Sequence, residues 1–197
     1  IAESILRQLS GEPHPIPAWI VAGAGTGGTS ATIGRYLRYR RLATQLCVAD
    51  PCGSAFALGW RTRDRSVLAR HPTVVEGIGR PRVEPGFLFE VVDHVAEIPD
   101  PASIAAAELL QAKLGRSYGG SSGTNLVACL ALAANMRERG ERGSIVSLLG
   151  DPGERYAETL FNPAWREEHH IDLTDATAAL ETSIATGVTP LIHCRAP

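Results

Sequence analysis

The sequence predicts an α/β, three-layer domain with a mainly parallel sheet. Two observations carry that expectation. Short apolar runs, A-W-I-V-A over 18–22 and Q-L-C-V-A over 45–49, read as buried strands. Between them lie a glycine turn over 23–28 and a helix-like stretch over 29–41. Strand, glycine turn, helix, strand is a βαβ unit, which sets its two strands in parallel.

The elements follow in order. Apolar Ile1, Ile5 and Leu9 recur at helical spacing, and G-E-P-H-P-I-P over 11–17 stops that helix, because proline fixes φ and removes a donor. In 29–41, Ile33, Tyr36 and Leu37 alternate with Arg35, Arg38, Arg40 and Arg41, giving an amphipathic helix with cations near its C-terminus, where the helix dipole favours them. The second strand ends at Asp50-Pro51. Residues 53–86 are rich in Gly, Arg and Pro and read as irregular. An edge strand is expected over 93–98, a helix over 104–114 stopped by Gly115, and a helix over 124–139 that is apolar nearly all round and hence buried. A third strand is expected over 144–149. A last helix runs over 175–186 and stops at Gly187.

The chain has 197 residues, long enough for one domain with its own core. A formal net charge of -2 offers no broad attraction for nucleic acid or an anionic membrane. No stretch approaches the roughly 20 apolar residues of a membrane span. The first residues, I-A-E-S, show no signal peptide, and the absence of an initiator Met suggests a chain that begins mid-protein. Cys47, Cys52, Cys129 and Cys194 form no C-x-x-C pair; they are expected as free thiols, which makes a cytoplasmic setting the default. His169 and His170 are adjacent, a poor metal pair on a helix, so no metal is expected.

The strongest local signal is Gly23-Ala24-Gly25-Thr26-Gly27-Gly28-Thr29. Glycines let the backbone approach an anion, and the helix that follows offers free N–H groups and a positive dipole end. Thr26 and Thr29 add hydroxyls. Two cofactors compete for this loop. Gly23, Gly25 and Gly28 fit G-x-G-x-x-G, and Asp50 ends the next strand where the acid of a dinucleotide site would hold a ribose. On the pattern alone, an NAD-linked dehydrogenase stands beside a phosphate-bearing cofactor of another kind.

Further blocks lie downstream: Glu76-Gly77-Ile78-Gly79, Gly120-Ser121-Ser122-Gly123-Thr124-Asn125 and Gly153-Glu154-Arg155-Tyr156. With G-T-G-G-T they resemble, in order and spacing, the pyridoxal-phosphate-dependent cysteine synthase and cystathionine β-synthase family of fold type II. The wording of 18–36 and of V-E-G-I-G-R-P-R-V over 75–83 looks most like its actinobacterial L-cysteine desulfhydrase branch. The resemblance runs from Ile1 to about Gly187, and residues 188–197 match nothing in it.

The resemblance implies a tryptophan-synthase-β-like fold, with 1–187 as its large C-terminal portion. It implies pyridoxal 5'-phosphate as cofactor, its phosphate on Gly25, Thr26, Gly27, Gly28 and Thr29. Gly77 and Gly79 would border the substrate, and Ser121 and Ser122 would lie near the cofactor ring, with the serines also able to cap the helix that follows. The implied substrate is a small amino acid: cysteine, O-acetylserine or serine. The implied chemistry is β-elimination, turning cysteine into pyruvate, ammonia and sulfide, or β-replacement. The full-length form would be a homodimer.

The same resemblance exposes what is missing. The family's cofactor-bearing lysine lies in the first half of its fold, and here the single lysine is Lys113, on what reads as a solvated helix face. The N-terminal catalytic half is therefore expected to be absent, and no catalytic residue is assigned. At Pro152, where the resemblance implies a serine against the ring nitrogen, proline offers neither hydroxyl nor N–H. A truncated, non-catalytic homologue is the third reading.

Overall fold

The computed structural model describes residues 1–190 and Cys194. Its centre is a sheet of four strands: β1 (Trp19–Gly23), β2 (Gln45–Pro51), β3 (His94–Ile98) and β4 (Ile145–Ser147), in the order β3-β2-β1-β4. All pairings are parallel, with Val21 opposite Cys47, Cys47 opposite His94 and Trp19 opposite Ile145.

Alternation along the strands divides the core in two, because successive side chains leave a strand on opposite faces. Ile20, Ala22, Leu46 and Val48 face one side, where they pack with Ile33, Leu37, Phe56 and Phe87. That layer is built by α1 (Ala2–Gln8), α2 (Gly28–Tyr39) and α3 (Ala55–Thr62). Val21, Cys47 and Ala49 face the other side and meet Ala128 and Leu132 of α5 (Gly120–Glu138). α4 (Asp100–Leu114) and α7 (Thr174–Thr186) complete this second layer through Ala102, Ala106, Val127 and Leu180. Each fully buried Val, Leu or Ile contributes roughly 1.5–3 kcal/mol, so the paired apolar strands anchor both layers at once. A short α6 (Pro163–Glu168) carries Trp165, against which the His169 ring stacks at 3.9 Å.

The strands, α2, α7 and the glycine stops stand where the sequence puts them; Gly115 and Gly187 both take positive φ at helix C-termini. Four expectations are corrected. The stretch 53–86 contains α3, capped by Ser54, whose hydroxyl accepts from the Phe56 N–H at 3.4 Å. α4 starts at Asp100, because a proline at the first turn is compatible with a helix. α5 starts at Gly120, so Ser121 and Ser122 lie inside the helix and Gly119 is its cap. Cys52 and Cys194 form a disulfide, while Cys47 and Cys129 are free. That pairing withdraws the composition's case for a reducing compartment. Six of the ten residues of the tail, 191–193 and 195–197, lie outside the described residues. Among the described residues, no helix is long and apolar enough to cross a membrane.

Candidate functional site

β1 connects to β2 on one side and pairs with β4 on the other. Chain connections thus diverge at the carboxyl end of β1, and a crevice opens at such a switch point in a parallel sheet. The glycine loop occupies it. Gly27 is the N-cap of α2 with φ +85°, a left-handed conformation that glycine adopts without strain. The first N–H of this turn to find a carbonyl is that of Ala31, bonded to Gly27 at 2.9 Å. Among the described residues the N–H groups from Gly25 to Ser30 meet no acceptor. The Ser30 and Thr32 hydroxyls donate back to Gly27 and Gly28 carbonyls, whereas those of Thr26 and Thr29 have no partner among the described residues.

Two return segments brace this loop. From one side comes the 76–80 turn: Ile78 covers Gly23, and the Gly79 N–H donates to the Ala24 carbonyl at 2.9 Å. A Cβ on Gly25 would stand 2.5 Å from the Gly77 carbonyl oxygen. From the other side comes 86–87: a Cβ on Gly27 would stand 2.4 Å from the Phe87 nitrogen. Phe87 is held in turn by Arg65, which donates to its carbonyl at 2.9 Å. Only at Gly28 is the added position open, its one near neighbour being the Thr26 hydroxyl at 3.8 Å. A run of unpaired donors, braced on two sides and with space beside Gly28, fits a phosphate monoester.

The other wall follows β4. Ser122 is buried and its hydroxyl accepts from the Gly150 N–H at 2.8 Å. Asn125 donates to the Leu148 carbonyl at 3.0 Å, and its own amide oxygen is buried without a partner. Asp151 accepts from the Tyr156 hydroxyl at 2.6 Å; burial, then that bond, pushes the Tyr156 phenol up to about 12. Ser121 is half-buried, and its hydroxyl is the one in this wall without a partner among the described residues. Pro152 is exposed and sits in an isolated bridge with Tyr118. Arg155 reaches Glu76 and Asp151, each at 4.0 Å, so its ion pairs are not with the neighbouring Glu154.

Two sequence candidates are displaced from the crevice. Asp50 is 0% exposed, and one of its oxygens accepts from the Ala57 N–H at 3.0 Å at the start of α3. It cannot reach a ribose, so the dinucleotide reading loses its acid. Lys113 is exposed in the last turn of α4. The first turn of that helix faces the site end, where Asp100 accepts from Thr73 at 2.6 Å and from the Val74 N–H at 2.7 Å. At 1.5 Å per residue Lys113 lies roughly 20 Å away along the axis. The free thiols are also out of play: burial raises Cys47 and takes Cys129 to about 12. The residue sequence reasoning missed is Arg80, whose guanidinium lies against Gly25. Its position directly after the second glycine of the 77–79 block is the only signal that could have found it.

Comparison with known proteins gives the likenesses that follow. The family described as "Pyridoxal-phosphate dependent enzyme" matches residues 1–151. L-cysteine desulfhydrase Cds1 of Mycobacterium tuberculosis is 53% identical over 180 residues, which is 91% of this chain and 49% of that protein. Cysteine synthase 2 of Schizosaccharomyces pombe is 34% identical over 85% of this chain and 43% of its own length. Among solved structures, a hydrogen sulfide-producing enzyme from Fusobacterium nucleatum superposes with a TM-score of 0.68 at 25% identity, over 82% of this chain and 45% of that one. O-acetyl serine sulfhydrylase isoform 3 from Entamoeba histolytica gives 0.67 at 27% identity, over 81% and 44%. The chain spans about half the length of the curated relatives it matches.

Proposed function

This chain belongs to the pyridoxal-phosphate dependent enzyme family, and on that premise we propose that residues 1–187 are the cofactor-phosphate-binding portion of an enzyme of cysteine metabolism. The activity proposed is desulfhydration of cysteine to pyruvate, ammonia and sulfide, with cysteine synthase-type replacement as the related alternative. One observation carries the binding role: the run of unpaired N–H groups from Gly25 to Ser30 at the open end of β1.

When bound, the cofactor supplies an electron sink for charge that builds up at the substrate Cα. The chain's own residues do the rest. The N–H groups of Gly25, Thr26, Gly27, Gly28 and Thr29, with the two threonine hydroxyls, hold the phosphate at the positive end of α2. Gly77 borders the substrate; it is exposed on the turn that bonds to Ala24. Ser122 fixes the 150 segment, which leaves the Ser121 hydroxyl free for the ring side. This assigns the polar contact to Ser121 rather than to the position of Pro152. The proposed substrate is a small amino acid, and a homodimer is the proposed full-length state.

Titration of the purified protein with pyridoxal phosphate, followed by calorimetry, tests the binding role. Saturable binding that inorganic phosphate competes away is expected, and no binding would sink it. Because Lys113 is distant, cysteine should release no sulfide above the rate given by free cofactor with this chain alone. A borohydride-stable adduct at Lys113 would overturn that assignment.

A further inference from the structure

Arg80 and Arg82 differ by two positions and by everything around them. Arg82 is exposed and pairs with Glu84 at 3.3 Å. Arg80 is half-buried, and no carboxylate lies within 4.0 Å of it among the described residues. Its backbone is fixed at both ends: its N–H donates to the Ser54 hydroxyl at 3.1 Å, and its carbonyl accepts from the Ala55 N–H at 3.0 Å. Its side chain is directed back over the glycine loop. One terminal nitrogen lies 3.4 Å from the position a Cβ on Gly25 would take, and the other rests 3.5 Å from its own neighbour's carbonyl, that of Gly79. A guanidinium in such a place carries a full charge at any ordinary pH and has donors to spare.

We propose that Arg80 is a phosphate-binding residue of the glycine loop, donating charge-assisted hydrogen bonds to the cofactor's dianionic phosphate. This inference rests on the phosphate-site reading given above. The loop supplies only neutral donors, N–H groups and hydroxyls. A phosphate monoester carries close to two negative charges at neutral pH, and a helix dipole offsets about half of one. Arg80 is the cation placed to balance more of that charge, and its fork matches two phosphate oxygens. The arginine also explains why the 76–80 turn docks on the loop through glycines: Gly77 and Gly79 allow the turn close enough for the side chain after them to reach over Gly25.

The test compares three ligands on three proteins. Dissociation constants for pyridoxal phosphate, inorganic phosphate and pyridoxal are measured on the wild type, Arg80→Gln and Arg80→Lys. Phosphorus NMR of the bound phosphate is recorded alongside. R80Q is expected to weaken pyridoxal phosphate and inorganic phosphate by about 10- to 100-fold. Pyridoxal, which lacks the phosphate, should bind all three proteins alike. R80K should recover part of the loss, because it keeps the charge and gives up the fork. The bound phosphorus resonance should titrate at higher pH in R80Q than in the wild type. Equal phosphate affinity in R80Q and wild type overturns the role of Arg80 and leaves the loop as the site. An equal loss for pyridoxal and its phosphate also overturns it, since that marks a structural brace. A wild type that binds neither phosphate nor pyridoxal phosphate overturns the site itself.

Discussion

Helices α2 and α5 both begin with glycine and hydroxyl residues, and both start at the site end of the sheet, yet they begin in opposite ways. At α2 the turn is left-handed at Gly27, and the N–H groups of the first turn up to Ser30 meet no acceptor among the described residues. At α5 the start is tied into the protein at several points, although the Ser121 hydroxyl is left without a partner among the described residues. The Ser122 N–H bonds to the Gly119 carbonyl, its hydroxyl takes the Gly150 N–H, and Thr124 donates to Ser103 at 2.8 Å. Gly123 lets α4 come so close that an added Cβ would stand 1.9 Å from the Ser103 oxygen. Two similar strings thus do different work: one presents donors outward, the other locks two helices and a loop together. The difference teaches that a glycine-serine block marks close backbone approach, and only unpaired donors mark a ligand.

That contrast can be broken at either end. Gly27→Val puts a β-branched side chain at positive φ and against the Phe87 backbone. Phosphate-ligand affinity should fall more than about 100-fold, or roughly 3 kcal/mol, while strain and overpacking cost a similar amount of stability. Calorimetric titration and urea melts read the two effects. Unchanged affinity would reduce the loop to a turn. Gly123→Ala should act on stability alone, by about 3 kcal/mol from overpacking at α4. Its remaining folded fraction should bind phosphate as the wild type does.

An effect spread over several pH units comes from Asp50, at the end of β2. Burial raises its carboxyl to about 7, above the roughly 3.9 of an unfolded chain. Between those values the folded state holds a proton that the unfolded state has lost. Stability therefore declines as pH rises from about 4 to about 7, by at most about 1.4 kcal/mol per pH unit, and levels off above that range. Asp50→Asn should flatten this slope in urea midpoints measured against pH. An unaltered slope would place the titrating group elsewhere. The smallest change is Ser122→Ala, which strands the Gly150 N–H at a cost of about 1–2 kcal/mol. Phosphate affinity should stay the same, and a drop would give Ser122 a direct part in holding the phosphate.

Much of this was legible in the sequence because it rests on local patterning. Apolar runs bounded by turn residues gave β1 and β2, and a glycine loop between them gave the βαβ unit. Helix starts were harder: Asp100-Pro101 and Gly120-Ser121 look like breakers, and only their packing against neighbours makes them helical. α3 was hidden because its eight residues are flanked by irregular chain. The phosphate loop was readable from the identity of its glycines. Its bracing was not, since Gly77 and Phe87 reach Gly25 and Gly27 across long stretches of sequence. Asp50 misled for the same reason: its spacing suited a ribose, and its burial is a tertiary fact.

The β1–β4 pairing has a consequence for how the crevice comes into being. Trp19 lies beside Ile145, and Trp19 beside Gln45. Closing the longer loop costs more chain entropy before any contact rewards it. The glycine loop and both segments that brace it lie within 23–87, whereas Ser121 and Gly150 wait for β4. The contacts of the phosphate cradle therefore span the shorter separations, and the ring-side wall carries the larger closure cost.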